Sequence, residues 1–303
     1  MTNDVLRILH ISDTHLFGDS TLHYGRVDTT GALHRVLKHA ADLGPLDLVI
    51  VSGDCSDDGT PASYRILAEA VGEYAASHGA QAIYAMGNHD ARAGFRAVLG
   101  DGHRAAAVYD GVEGPIDGIS DVDGVRVITL DSSVPGGKAY GELRDAQITW
   151  LTAQLSTPAP RGSIVVLHHP PVPACTPLLR TMELFNPDLL ADALDGTDVQ
   201  LILAGHFHHQ FAGSLRGTPV LVAPGVANCT DPTAAPNVQR TLVASGGTLV
   251  ELAATGFRAT SFHVPGTEED HVLNLLTRKQ MAGIARNLGS PDWEQRLAEA
   301  TGE

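Results

Sequence analysis

The chain predicts an α/β fold, a two-sheet β-sandwich flanked by helices. Three observations lead there. Strand-like and helix-like segments alternate through the first part of the chain. A hairpin and several short strands follow. Polar, metal-binding types of residue recur where apolar runs stop. At 303 residues the chain can bury a large core in one or two domains.

Val5 to Ile11 is an apolar run that ends in Ser12-Asp13-Thr14-His15 and reads as a buried strand. Leu16 to Asp28 is a loop. From Thr30 to Leu43, Leu33, Val36, Leu37 and Ala40 share one helical face, and Gly44-Pro45 stops the helix. Leu46 to Ser52 is the second strand, ending in Gly53-Asp54. Thr60 as N-cap and Pro61 at the first position open the next helix, which closes at Gly79. Gln81 to Ala85 is the third strand, ending in Gly87-Asn88-His89-Asp90. That order predicts a parallel sheet with right-handed crossovers.

A short helix (Phe95 to Leu99) and a strand (Ala105 to Tyr109) are expected next, then a hairpin from Gly118 to Asp131 with Asp123-Gly124 as its turn. Glu142 to Leu155 is helical. Ser163 to Leu167 is a strand ending in His168-His169-Pro170-Pro171, and Pro187 to Leu194 a short helix. Val199 to Ala204 is a buried strand that Gly205 ends, before His206-Phe207-His208. Pro219 to Val222, Gln239 to Ala244, Thr248 to Ala253 and Phe257 to His263 read as antiparallel strands, with turns at Gly246-Gly247 and Thr255-Gly256. Glu268 to Asn287 and Pro291 to Ala300 read as helices. The expected organisation is a catalytic body over 1–265 and a C-terminal helical extension over 266–303.

The totals narrow the partners. A formal charge of -15 argues against a nucleic-acid surface, which shows a basic stripe. A small anionic substrate stays open, because bound cations can dominate a local field. The cysteines are Cys55, Cys175 and Cys229, with no CxxC spacing and an odd number. A reduced, cytoplasmic setting fits that better than a disulfide framework. No apolar run reaches the roughly 18–20 residues of a membrane helix, and no signal segment leads the chain.

Asp13, His15, Asp54, Asn88, His89, Asp90, His168, His169, His206 and His208 all stand just past strand ends, where open α/β sheets bind ligands. Each block alone has a plain structural reading. Asp13 and His15 could be a polar loop pair, and Asp54 a helix cap. Asn88-His89-Asp90 could be a turn, and His168-His169 strand punctuation. Together, at successive strand ends, they point to one site. Carboxylates, imidazoles and an amide suit divalent manganese, iron or zinc. The set holds no thiolate, which argues against a Cys-type structural zinc site. The donors exceed one tetrahedral metal and fill a two-metal site with a bridging carboxylate.

In combination and order, Asp13-Thr14-His15, Gly53-Asp54, Gly87-Asn88-His89-Asp90, His168-His169-Pro170 and Gly205-His206-Phe207-His208 resemble the calcineurin-like metallophosphoesterase family. They are most like its bacterial class III cyclic-nucleotide phosphodiesterases and glycerophosphodiesterase relatives. The resemblance spans Asp13 to His208 and is specific for the superfamily, less so for substrate. It implies a four-layer αββα fold. It implies Asp13, His15 and His208 on one metal, Asn88, His168 and His206 on the other, and Asp54 bridging. His169 would stand behind His168. His89 would contact phosphate and assist the leaving group, oriented by Asp90. The implied reaction is hydrolysis of small phosphodiesters, 3′,5′- or 2′,3′-cyclic nucleotides foremost, by in-line attack of a hydroxide bridging the metals.

His23, Tyr24, Arg26 and His209 are candidate substrate-pocket residues beside Asn88 and His89. The alternatives are a glycerophosphodiesterase, a phosphomonoesterase, a nuclease (which the acidic composition disfavours) and a non-catalytic scaffold, against which the full ligand set argues. A homodimer is a further expectation from the resemblance.

Overall fold

The structure is a computed structural model that describes residues 5–103, 114–264 and 272–302. The strand expected over Ala105 to Tyr109 lies outside the described residues.

The first half runs β1 (Val5–Ile11), α1 (Thr29–His39), β2 (Leu48–Val51), α2 (Pro61–Ser77), β3 (Gln81–Tyr84), α3 (Arg92–Leu99), β4 (Gly118–Val122) and β5 (Val125–Leu130). Then come α4 (Asp145–Leu155), β6 (Ser163–Leu167), α5 (Pro177–Arg180), α6 (Pro187–Leu194), β7 (Val199–Ala204), β8 (Phe211–Leu215) and β9 (Thr218–Val222). The last part holds β10 (Cys229–Thr230), β11 (Val238–Leu242), β12 (Ser245–Ala253), β13 (Gly256–Val264), β14 (Val272–Thr277), α7 (Arg278–Leu288) and α8 (Trp293–Thr301).

Two sheets form the sandwich, one ordered β13-β12-β1-β2-β3 and one β4-β5-β6-β7-β9-β8. Strand alternation builds three apolar layers from them. Leu6, Ile8, Leu48 and Ile50 face Ile164, Val166, Leu201 and Leu203 between the sheets. Leu9, Ile11, Val49 and Val51 turn outward onto Leu33, Val36, Tyr64 and Leu67 of α1 and α2. Val165, Leu167, Ile202 and Ala204 turn the other way, onto Leu151, Leu155 and Leu190 of α4 and α6. This is the expected two-sheet, helix-flanked α/β architecture. β1, β2 and β3 are parallel neighbours, as are β5, β6 and β7, so their C-terminal loops open at one end of the sandwich.

Four expectations need correction. β9 was expected to be antiparallel; it pairs parallel with β7 and antiparallel with the edge strand β8. Gly246 and Gly247 make no turn. They lie inside β12, where a Cβ on Gly246 would sit 2.5 Å from the Phe262 carbonyl oxygen, so their smallness serves close strand packing. Val272 to Thr277 is not helical: as β14 it pairs antiparallel with β11, which pairs with β10 in a separate three-stranded sheet. The helix starts only after Thr277, whose hydroxyl accepts from Gln280 N while the Gln280 side chain accepts from Thr277 N. Gln239 to Ala244 therefore belongs in part to that third sheet, not to the sandwich.

Candidate metal centre and substrate cavity

The ligand loops are built on unusual backbone. Asp13, His15, Asp54, His206 and His208 have φ of 55°, 44°, 47°, 69° and 53°, in the left-handed region that L-residues seldom occupy. Such strain persists where packing over-determines it, and it gathers at functional sites. Here neighbouring loops hold it. Asp13 N donates to the Gly53 carbonyl, His15 N to the Asp54 carbonyl, and Ala227 N to the Asp13 carbonyl. Gly53 has φ 108° and a Cβ there would lie 2.5 Å from His168 Nδ1, so only glycine lets the loops close up.

Two groups of donor atoms converge beside a third, His15 with Asp57 and His89. Asp13, His15, Asp54 and His208 form one; His168, His169 and His206 form the other. The Asp54 carboxylate lies between, with Oδ2 3.5 Å from His15 Nε2 and 3.2 Å from His168 Nε2. His208 Nε2 is 3.2 Å from Asp13 Oδ1. Among the described residues, Asn88 Oδ1, His169 Nε2 and His206 Nε2 are buried with no hydrogen-bond partner. Buried polar atoms are rarely left so, and all are lone-pair donors of the kind a borderline divalent ion takes. The residues fit a binuclear metal centre.

The far ring nitrogens are already used. His15 Nδ1 meets Asp57 Oδ1 at 2.9 Å, His168 Nδ1 meets the Ser52 carbonyl at 2.9 Å, and His169 Nδ1 meets Ser132 Oγ at 2.8 Å. A proton held at Nδ1 leaves Nε2 bare for a cation. Burial pushes the His206 pKa down to about 3, and that of His15 to about 4 in spite of Asp57, so both are neutral, as ligation requires. His168 differs. Burial opposes its charge, but the Asp54 and Asp13 carboxylates raise its pKa to about 9.

The structure brings every expected metal ligand into this end of the sandwich, with His169 in the same group as His168 and His206. It revises two other roles. Asp90 does not orient His89. Asp90 is 8% exposed and its carboxylate accepts from Cys55 N, Ser56 N, Gly87 N and the Tyr64 hydroxyl, clamping the Asp54 loop to the Asn88 loop. Asp57 orients His89 instead, with Oδ1 2.9 Å from His89 Nδ1. His209 does not reach the substrate cavity. It is buried, with Nδ1 on the Phe207 carbonyl and Nε2 3.1 Å from Cys175 Sγ. His23 does line the cavity and meets Asn228 Nδ2 at 3.1 Å. Tyr24 lines it too. Arg26 reaches instead to the Val272 carbonyl at the start of β14.

The cavity over the ligands has a volume of about 320 Å³. His15, Asp54, Asn88, His89, His206 and His208 form one side of it. A larger cleft of about 800 Å³ opens around Val125, Gly162, Asp198 and Ala253, at the opposite strand ends and away from every ligand. No helix among the described residues is long and apolar enough to cross a membrane.

The calcineurin-like phosphoesterase family profile matches residues 6–210, the stretch that carries every ligand. The chain belongs to this family. Within it, the chain is 44% identical over 225 residues to a probable cyclic nucleotide phosphodiesterase of Rhodococcus erythropolis, covering 74% of this chain and 72% of that one. It is 42% identical over 243 residues to a cAMP/cGMP dual specificity phosphodiesterase of Mycobacterium tuberculosis, covering 80% and 71%. Among solved structures, a dimetal phosphatase from Danio rerio superposes with a TM-score of 0.56 at 14% identity, covering 85% of this chain and 99% of that one. That likeness concerns the phosphoesterase fold.

Proposed function

We propose that this chain is a metal-dependent phosphodiesterase that hydrolyses cyclic mononucleotides. The observation that carries the reading is a cavity of about 320 Å³ floored by the two ligand groups. That volume is at the small end of ligand pockets and suits a mononucleotide. The names of the Rhodococcus and Mycobacterium relatives support the same substrate class.

Asp13, His15, Asp54 and His208 would hold one ion, and Asp54, Asn88, His168 and His206 the other, with manganese, iron or zinc the candidates. Bound ions supply Lewis acidity toward water and the phosphate oxygens. The chain's own residues do the rest. Asp57 fixes the His89 ring through Nδ1, so that Nε2 can give a proton to the departing oxygen. His89 stands at the rim, its side chain 44% exposed, where substrate can reach it. The thiols of Cys55, Cys175 and Cys229 are unpaired, which supports a reducing, cytoplasmic compartment.

The test is hydrolysis of cyclic AMP, bis-p-nitrophenyl phosphate and p-nitrophenyl phosphate with added Mn²⁺, beside an Asn88→Ala control. Both diesters should be cleaved well and the monoester poorly, with the control inactive. Cleavage of the monoester in preference to both diesters would refute the reading.

A further inference from the structure

The side of the cavity opposite the ligands comes from outside the sandwich. One face of the three-stranded sheet supplies it. Thr230 pairs with Thr241, and Thr241 with Asn274, giving one row across β10, β11 and β14. Gln239 pairs with Leu276 in the next row on the same face, two residues along each strand. All five side chains line the cavity. The intervening residues point away: Arg240 binds Asp231, and Leu275 is 54% exposed. Leu178, Met182 and Ile284 add an apolar wall that is continuous with Leu276.

This face is chemically specific. Gln239 is 4% exposed, yet among the described residues its Oε1 has no hydrogen-bond partner. The amide meets Thr230 Oγ1 through Nε2 at 3.5 Å. A buried carbonyl oxygen left alone is costly, and here its residue lines a cavity that the candidate metal ligands also line. A side-chain amide offers an acceptor beside a donor, the pattern that pairs with the edge of an aminated base. A flat apolar wall beside it suits the base's face.

We propose that the β10-β11-β14 sheet is the nucleobase subsite, in which Gln239 and Asn274 read the amino-bearing edge of the base while Leu276 and Met182 pack on its face. The inference rests on the cyclic-nucleotide reading above and adds which residues select the base. The strand that carries Asn274 and Leu276 lies beyond residue 210, where the family match ends. Base selection is thus separable in the chain from phosphate chemistry.

The experiment compares wild type, Gln239→Leu and Asn274→Leu, the last a half-buried position that tolerates change even if Gln239→Leu disturbs folding. Two readouts are taken. One is the ratio of kcat/KM on cyclic AMP to that on bis-p-nitrophenyl phosphate, with Mn²⁺. The other is the calorimetric affinity for 5′-AMP relative to that for orthophosphate. Each variant should lower both ratios about tenfold, the worth of one hydrogen bond. Ratios unchanged in both folded variants, or equal affinity of wild type for 5′-AMP and orthophosphate, would overturn the subsite. A wild type that cleaves the model diester but no cyclic nucleotide would instead overturn the substrate reading beneath it.

Discussion

Asp57 Oδ1 stands 2.9 Å from His89 Nδ1. The same oxygen stands 2.9 Å from His15 Nδ1, and Oδ2 is 3.8 Å from His23 Nδ1. One carboxylate therefore bonds a candidate metal ligand and the rim imidazole at once. Burial acts to raise the Asp57 pKa, but the surrounding imidazoles outweigh it and hold the group ionised, far below the usual carboxylate range.

Asp57→Ala should therefore damage both jobs. Partners behind metal ligands are worth about 10–100-fold in affinity or activity. We expect kcat/KM on bis-p-nitrophenyl phosphate to fall by about that factor, with Mn²⁺ required at higher concentration. Steady-state kinetics across a Mn²⁺ titration checks it. Wild-type Mn²⁺ dependence in the variant would show that the 2.9 Å contact does not orient His15.

Metal removal should destabilise the fold. Ions that bind only the native state stabilise it by about 3–4 kcal/mol at 100 to 1,000 times their dissociation constant. Without them, Asp13 and Asp54 remain buried beside one another, and the bare nitrogens of His169 and His206 go unpartnered. Chelation should lower Tm, and Mn²⁺ should restore it. The Asn88→Ala protein should recover less.

The Cys175–His209 contact lies off the reaction path. His209→Gln keeps a side chain that can bond the Phe207 carbonyl, and it should leave kcat/KM near wild type, whereas His206→Gln should abolish turnover. Comparable losses in the two variants would return His209 to the site.

Asp117 offers a pH test away from the ligands. Burial raises its pKa to about 6, above the value of about 3.9 expected in the unfolded chain. The folded state then binds the extra proton, so stability falls as pH rises from about 4 to about 6 and stays reduced above that. Both bonds to Asp117, from Asp131 N and Gln147 Nε2, fall on Oδ1, so an amide can keep them. Asp117→Asn should stabilise by about 1–2 kcal/mol at pH 8 and by little at pH 4. Thermal melts at the two pH values check this; equal shifts at both would refute the linkage.

Much of this was legible in the residues. Asp13, Asp54, Asn88, His168, His206 and His208 follow apolar runs that can only be strands, and parallel strands place their C-terminal loops together. The second carboxylate role was not legible. Asp57 and Asp58 are adjacent and chemically alike, yet Asp57 orients imidazoles while Asp58 caps the Gly18 and Thr60 amides. β14 was missed because its apolar residues run into the helix without a glycine or proline between them. The Thr277–Gln280 capping pair was the signal that marked the boundary.

The ligands are drawn from both halves of the sandwich: Asp13, His15, Asp54 and Asn88 follow β1, β2 and β3, and His168, His206 and His208 follow β6 and β7. Neither sheet alone carries a complete set for either ion. The proposed centre is thus a seam that closes only when the two halves dock, with its last candidate ligand, His208, supplied after β7. A fragment ending before β7 would present Asp13, His15, Asp54 and Asn88 without His206 and His208, so neither proposed ion would have its full donor set.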